Sequence, residues 1–413
     1  MTATSAARLP ARFWYLSAGM LVNRLGTFVL PYLAIYLTTA RGFGAGTAGV
    51  VLSGYGAGAI VSSLGGGVLA DRWGRLPTMV TGLAVTAGLT VLLAVATTVG
   101  TITITAVALG VTSDVYRPAA NATVADLVPE ADRVRAYGVL YWAGNLGFSA
   151  SAVLGGLIAS HSFTALFLID AAASVGGAAV LWAGLHGYQN RAGAGSAPDR
   201  AGSGLRVVLQ DPVFLGFVAL CLVFMTVYFQ GVVALPVTVM RAGVSPARYG
   251  IIIAANGVTV LALQPPLTRL MRRVSLGTAM ALASLLLGIG LGMLGWVRTF
   301  ALFMIAAVVW TVGEIGFSVA GPALVARLAP DHLHGRYQGV FGMSAGVAAF
   351  VGPAAGGAVL ATLGSRPLWL ICVALGAGMA VGHLALGDGY RRGRPTAEPR
   401  AEPTRSESAV AGS

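Results

Sequence analysis

Long apolar runs separated by short polar segments make up most of the chain. Twelve such runs cover roughly residues 13–39, 46–69, 77–99, 101–124, 135–159, 163–186, 213–237, 249–268, 276–297, 300–326, 337–363 and 366–387. An α-helix needs about 20 apolar residues to cross a bilayer. A span in lipid must satisfy its backbone hydrogen bonds internally, and runs of this length fit helices rather than barrel strands. The pattern predicts an all-α integral membrane protein with twelve transmembrane helices.

Composition agrees with a membrane location. Of the 413 residues, 56% are hydrophobic and 10% are charged, and the mean hydropathy is +0.80. A soluble core could not hide this much apolar surface. The net charge of +12 comes from arginine without any lysine. Because these arginines are scattered over short loops, without aromatic interleaving or a compact soluble domain, we expect no nucleic-acid partner.

The distribution of arginine between alternate loops predicts the orientation in the membrane. If the N-terminus is cytoplasmic, nineteen arginines fall on that side, at positions 8, 12, 72, 75, 133, 135, 191, 200, 206, 269, 272, 273, 327, 336, 391, 392, 394, 400 and 405. Five fall on the other side, at positions 41, 241, 248, 298 and 366. The positive-inside rule then predicts a multi-pass protein of the cell (inner or plasma) membrane with both termini cytoplasmic. Because two arginines precede a long first span without a small-residue cleavage pattern, we expect no removable signal peptide.

The polar segments divide the chain into two halves. Residues 1–186 and 213–387 hold six predicted helices each, and the Gly-, Ala- and Ser-rich residues 187–212 between them read as a flexible cytoplasmic linker. Residues 388–413 are rich in Pro, Glu, Arg and Ser, which is typical of a disordered cytoplasmic tail.

An internal repeat indicates that the halves are homologous. A shift of 201 residues places VADLVPE (124–130) on VARLAPD (325–331), Arg135 on Arg336, and Gly155-Gly156 on Gly356-Gly357. One register maintained over such a distance is hard to obtain by chance. Homologous halves of this kind predict a pseudo-symmetric arrangement about an axis along the membrane normal.

A charged interruption, GGGVLADRWGRLP at residues 65–77, separates the second and third apolar runs. Asp71 lies just past the predicted end of the second helix, where the helix presents partial negative charge. Its carboxylate therefore needs compensation from Arg72, Arg75 or the N-terminus of another helix. The alternative is a basic loop that only orients the protein in the bilayer.

This segment resembles the G-x-L-a-D-r-x-G-R signature of the major facilitator superfamily, at Gly67, Leu69, Asp71, Arg72, Gly74 and Arg75. Within the superfamily the chain is most similar to the twelve-helix drug:proton antiporter group. The similar segments are Arg117 to Pro129 followed by Arg133 to Gly138, and Gly313 to Pro330 followed by Gly335 to Gly339. In the fifth span, Ser151-Ala152 replace the Gly-Pro of that group's motif.

The resemblance implies a conformational latch at the signature loop. Its aspartate would contact the start of the eleventh helix near Arg336, together with an acid–base cluster of Arg75 and Asp126. The predicted latch residues are Gly67, Asp71, Arg72, Gly74, Arg75, Asp126 and Arg336.

Charges inside lipid are costly and mark functional sites. Five fall within the predicted spans, at Arg24, Asp114, Arg117, Asp170 and Glu314. The resemblance implies that helices one, four, seven and ten line a central cavity, and helix seven offers Tyr228 and Gln230. The predicted proton and substrate pathway is therefore Arg24, Asp114, Arg117, Tyr228, Gln230 and Glu314.

These charged residues differ in the neighbouring groups available to them. Asp114 and Arg117 are three residues apart on one helix face and can pair, with Arg24 as a third member. Pro118 disfavours helical dihedrals at Arg117 and predicts a kink. Glu314 has no cation within one turn of its own helix. Desolvation then favours a neutral acid, either as a proton carrier or bonded to neighbouring backbone. Asp170 is expected to cap or orient a neighbouring segment.

No enzyme signature is present, since the sequence lacks a phosphate-binding loop, and Cys221 and Cys372 offer no metal-ligand spacing, so we expect neither cofactor nor metal. The favoured function is a monomeric secondary active transporter, exporting a small organic or amphipathic compound in exchange for protons. The alternatives are a sugar or metabolite exporter, an uncoupled facilitator, or a membrane receptor or scaffold that does not transport.

Overall fold

The computed structural model describes residues 9–187, 207–330 and 333–392, and every regular element in this part of the chain is helical. Twelve of the helical spans are long and apolar enough to cross a membrane, which confirms the predicted fold class. In chain order, spans 1 to 12 are Ala11–Ala40, Ala45–Trp73, Arg75–Val95, Val99–Leu127, Glu130–Ala159, Phe163–Leu185, Pro212–Arg241, Pro246–Met271, Leu276–Gly295, Phe300–Leu328, His334–Thr362 and Ser365–Ala385.

Span 2 is longer than predicted. It continues to Trp73, so Asp71 and Arg72 lie in its last turn rather than beyond its end. The helix stops at Gly74, whose φ of +94° is a backbone conformation that favours glycine. Gly74 therefore allows span 3 to begin at once, at Arg75.

Spans 1, 4 and 7 are interrupted near their middles, and each break precedes a proline by about four residues. The breaks lie at residues 26–28, 114–115 and 229–233, and the prolines are Pro31, Pro118 and Pro236. A proline ring has no N–H for the carbonyl four residues earlier and clashes with that carbonyl. Pro322 and Pro353 lie in unbroken helices, so a proline weakens a span without always interrupting it.

The kink predicted at Pro118 is confirmed, but its position is different. Span 4 breaks at Asp114–Val115, and Arg117 is already helical in the segment Tyr116–Leu127. The expectation that Arg117 avoids helical dihedrals is therefore wrong. Pro118 stands in the first turn of the new segment, where its missing N–H would have no intrahelical partner in any case.

The two halves meet along two helix pairs, span 2 with span 11 and span 5 with span 8. Exchanging the halves converts one pair into the other, as pseudo-twofold symmetry requires. We call the end where span 1 starts the terminal end, and the opposite end the far end. Toward the far end, glycines bring the paired helices close together. A Cβ on Gly56 would overlap the carbonyl of Ala349, and a Cβ on Gly250 would overlap the carbonyl of Ala152. Small residues of this kind let membrane helices pack backbone to backbone.

The predicted linker and tail are only partly described. Residues 188–206 of the linker 187–212 lie outside the described part, and Val208, which follows, is buried in the core. In the tail, Gly387–Arg392 form a short helix that buries Tyr390 against Phe217, 6.1 Å between ring centroids. The prediction of disorder is therefore wrong for residues 388–392, because burial of an aromatic ring stabilises them. Residues 393–413 lie outside the description.

Candidate functional site

A cavity of about 610 Å³ lies between the halves. Spans 1, 4 and 5 line it from the first half, and spans 7 to 10 line it from the second. Spans 1, 4, 7 and 10 thus contribute as the resemblance implied, and spans 5, 8 and 9 contribute as well. Most of the wall is aromatic or aliphatic, with Tyr116, Tyr228, Phe148 and Trp310 among its larger side chains.

The cavity is closed toward the far end and reaches the surface at the terminal end. Tyr32 and Tyr249, from opposite halves, pack edge to face with 5.7 Å between ring centroids. The Tyr32 hydroxyl donates to the Ala152 carbonyl, and the Tyr249 hydroxyl donates across the halves to the Pro31 carbonyl at 3.3 Å. At the terminal end Tyr137 and Tyr141 line the cavity and are exposed. The structure is therefore a conformation accessible from the terminal end.

Glu314 projects from span 10 into this cavity and is held by two neutral donors. Tyr228 Oη donates to its Oε1 at 3.1 Å, and Asn256 Nδ2 donates to its Oε2 at 2.7 Å. The same amide also donates to Thr311 Oγ1 at 2.8 Å. No cation of the described ranges forms a salt bridge with Glu314. The alternative of a backbone partner is not observed, because both partners are side chains from other spans.

Asp114 and Arg117 form the predicted pair, with 3.5 Å between Oδ1 and Nη1. The two side chains are 40% and 60% exposed, and Arg117 lines the cavity. Arg24 does not join them. Its guanidinium lies over the Phe148 ring, 5.6 Å from the centroid, and faces the same cavity from span 1.

Of the two residues predicted from span 7, only Tyr228 reaches the cavity. Gln230 is buried between spans 7 and 11, where its amide donates to the carbonyls of Thr226 at 2.9 Å and Gly352 at 3.1 Å. The tight turn Phe229–Gly231 breaks the helical spacing, so Gln230 does not point where an uninterrupted helix would place it. The structure thus places Gln230 in the contact between spans 7 and 11, inside the second half, rather than in the wall of the cavity.

Only part of the predicted latch is assembled. Arg75 is paired with Asp126 and also donates to the Ala122 carbonyl. Asp71 and Arg72 are exposed and have no hydrogen-bond or ionic partner within the described part of the chain. The predicted contact of Asp71 with the start of span 11 is therefore absent from this conformation, in which the terminal end is open.

Gly67 and Arg336 complete the predicted latch set. A Cβ placed on Gly67 meets nothing within 4 Å, so this glycine has open space beside it in the present conformation. Arg336 lies in the first turn of span 11, at the same end of the bundle.

Asp170 caps a broken helix, as predicted. Its Oδ2 accepts hydrogen bonds from the N–H groups of Phe28 at 2.9 Å and Val29 at 3.1 Å. These two groups start the segment of span 1 that follows the break, where they have no intrahelical partners. The carboxyl of span 6 thus supplies the acceptor that the interrupted backbone needs.

Sequence reasoning missed Asn256 and Thr311, which complete the surroundings of Glu314. Asn256 is one of two side-chain amides within the apolar run of span 8, the other being Gln264, and buried polar groups in lipid need partners. An amide within an apolar run was the signal that could have found Asn256. Its partner on span 10, 58 residues away, is not recognisable from the local sequence.

The sequence and the fold are similar to those of known transporters. The chain is 26% identical over 377 residues to an uncharacterised MFS-type transporter, YttB of Bacillus subtilis, covering 89% of this chain and 93% of that protein. It is 27% identical to a Na⁺, Li⁺, K⁺/H⁺ antiporter of Planococcus maritimus, covering 75% and 80%. It is 26% identical to the multidrug resistance protein MdtH of Aeromonas hydrophila, covering 88% and 91%.

Among solved structures, the nucleoside transporter NupG superposes with a TM-score of 0.82 at 15% identity, over 91% of this chain and all of that one, which shows a shared fold. The sequence profile of the Major Facilitator Superfamily matches residues 16–244 and 231–411. With twelve apolar helices around a central cavity, the chain belongs to the Major Facilitator Superfamily, a family of membrane transporters rather than enzymes.

Proposed function

We propose that this transporter is a secondary active carrier that exports a small organic or amphipathic compound in exchange for protons by alternating access. The observation that carries the proposal is Glu314, a carboxyl group in the inter-half cavity whose partners, Tyr228 and Asn256, are neutral. A carboxylate without a cation is costly inside a membrane, and a proton removes that cost. Glu314 is therefore the group that loads and releases the proton.

Asp114 has a different role in this proposal. Its carboxylate already has a cationic partner, Arg117 Nη1 at 3.5 Å, so the two charges offset each other beside the cavity. A carboxyl group without such a partner gains more from binding a proton inside the membrane. Asp114 therefore acts in structure or in substrate contact.

The names of the relatives support export, and the open end of the cavity is compatible with it. In the orientation that the arginine distribution predicts, the terminal end is cytoplasmic, so the open cavity receives its substrate from the cytoplasm. The name of MdtH refers to multidrug resistance, and the Planococcus protein is named as a cation/proton antiporter. The first name is consistent with export of organic compounds, and the second with exchange of a solute for protons.

Everted membrane vesicles with an acidified lumen test the coupling. A substrate is first chosen from a drug-susceptibility panel on cells with and without the protein, and its addition should then dequench acridine orange as protons leave the lumen. Glu314→Gln should abolish this response while downhill exchange of substrate persists. Asp114→Asn leaves Arg117 without its carboxylate partner and should instead reduce substrate binding or the amount of folded protein.

Two outcomes count against the proposal. Substrate movement that continues unchanged after the proton gradient is collapsed identifies an uncoupled facilitator. Normal pumping by Glu314→Gln, with proton dependence lost only in Asp114→Asn, assigns the proton to Asp114.

A further inference from the structure

Arg24 is a membrane-embedded cation that faces the cavity, where a bound molecule could contact its guanidinium. It lies in the last turn of Ala11–Leu25, just before the break in span 1. Within the described residues its guanidinium has no hydrogen-bond acceptor and no carboxylate, only the face of the Phe148 ring at 5.6 Å. Arg75 and Arg117, by contrast, each have an aspartate. A charge in this position is costly unless a partner reaches it.

The surrounding fold holds the Arg24 side chain in place. A Cβ on Gly147 of span 5 would lie 3.0 Å from Cβ and 3.1 Å from Cγ of Arg24, so the glycine makes room for the aliphatic stem. Asp170 fixes the backbone just beyond the break through Phe28 and Val29. The guanidinium is thus presented to the cavity by packing on one side and by a capped helix on the other.

Arg24 and Glu314 are basic and acidic side chains that face the same cavity from opposite halves. Among the described residues that line the cavity, the charged ones are Arg24, Arg117 and Glu314, and Arg117 is already neutralised by Asp114. The space between is about 610 Å³ and its wall is largely apolar and aromatic. A drug-sized molecule fits a pocket of this size and lining.

We propose that this cavity recognises zwitterionic amphiphiles, with an anionic group bound by Arg24 and a cationic amine bound by Glu314. The proposal rests on the proposed function, since it assigns the substrate class of the same cavity. The amine and the proton would compete for one carboxylate, which is the relation that exchange of substrate for protons requires. An anionic group on Arg24 then contributes affinity without competing with the proton.

Equilibrium binding to the purified full chain in lipid nanodiscs tests this with three dyes of one shape. Rhodamine 110 carries a free carboxylate and an amine-derived cation, rhodamine 123 is its methyl ester and only cationic, and fluorescein is only anionic. The wild type should bind rhodamine 110 more tightly than either of the others. Arg24→Gln should weaken rhodamine 110 binding by roughly tenfold or more, the loss of one charge-assisted contact, and leave rhodamine 123 unchanged. Arg24→Lys should restore most of that loss.

Arg248→Gln is the matched control, because Arg248 lies over the Phe300 ring at 5.8 Å but does not line the cavity. It should leave the preference for rhodamine 110 intact. Equal binding of rhodamine 110 and rhodamine 123 by the wild type overturns the proposal without any variant, as does an unchanged preference in folded Arg24→Gln. Binding in nanodiscs needs no gradient, so a carrier that shows the preference but pumps no protons would contradict the proposed function and leave this inference standing.

Discussion

The cap that Asp170 provides to the broken helix of span 1 can be removed with a single substitution. In Asp170→Ala the N–H groups of Phe28 and Val29 lose their acceptor in a buried position. Each unsatisfied buried donor costs about 1–3 kcal/mol, so the free energy of unfolding should fall by roughly 2–4 kcal/mol after partial relaxation. Asp170→Asn is the matched variant. Its amide oxygen can take the place of Oδ2 and accept both bonds, so the loss should stay near about 1 kcal/mol.

The chain carries its own reporters for this measurement. Cys221 and Cys372 are free and buried, so a thiol-reactive fluorophore labels them in detergent only as the protein unfolds on heating. Asp170→Ala should unfold several degrees below the wild type, and Asp170→Asn should stay close to it. An unchanged midpoint for Asp170→Ala would refute the reasoning. A midpoint for Asp170→Asn as low as that of Asp170→Ala would show that the charge matters rather than the acceptor.

Two further predictions concern the two ends of the bundle. Asp71→Asn should reach the membrane normally but transport about tenfold more slowly, because it would remove the predicted contact with the start of span 11, which we expect only when the terminal end closes. Undiminished transport would reduce the motif to an orienting loop. Gly56→Leu should lower the unfolding midpoint and favour opening at the far end, because its side chain would overlap the backbone of Ala349. Gly67→Ala has open space in this conformation, and alanine favours a helix more than glycine does, so this variant should unfold no earlier than the wild type. Equal midpoints for the two glycine variants would contradict the packing argument.

The sequence alone determined the architecture. Span length, hydropathy and the asymmetry of arginine are local properties, and in lipid they admit few alternatives to helices that cross the bilayer. A charged residue within an apolar run is also recognised locally, and for this reason the sequence identified the intramembrane charges Arg24, Asp114, Asp170 and Glu314. The Asp114–Arg117 pair was also predictable, because its members are three residues apart on one helix.

The tertiary structure decided which of these residues meet and which way they face. Lipid is as apolar as a protein core, so hydropathy does not fix the rotation of a span. The sequence therefore did not reveal that Asn256 donates to Glu314, that Arg24 lies over the Phe148 ring, or that a tight turn moves Gln230 out of the cavity. The open terminal end, with Asp71 exposed, is likewise a property of one packing of the halves. Alternative packings of one sequence can differ by only a few kcal/mol, too little for any local pattern to specify.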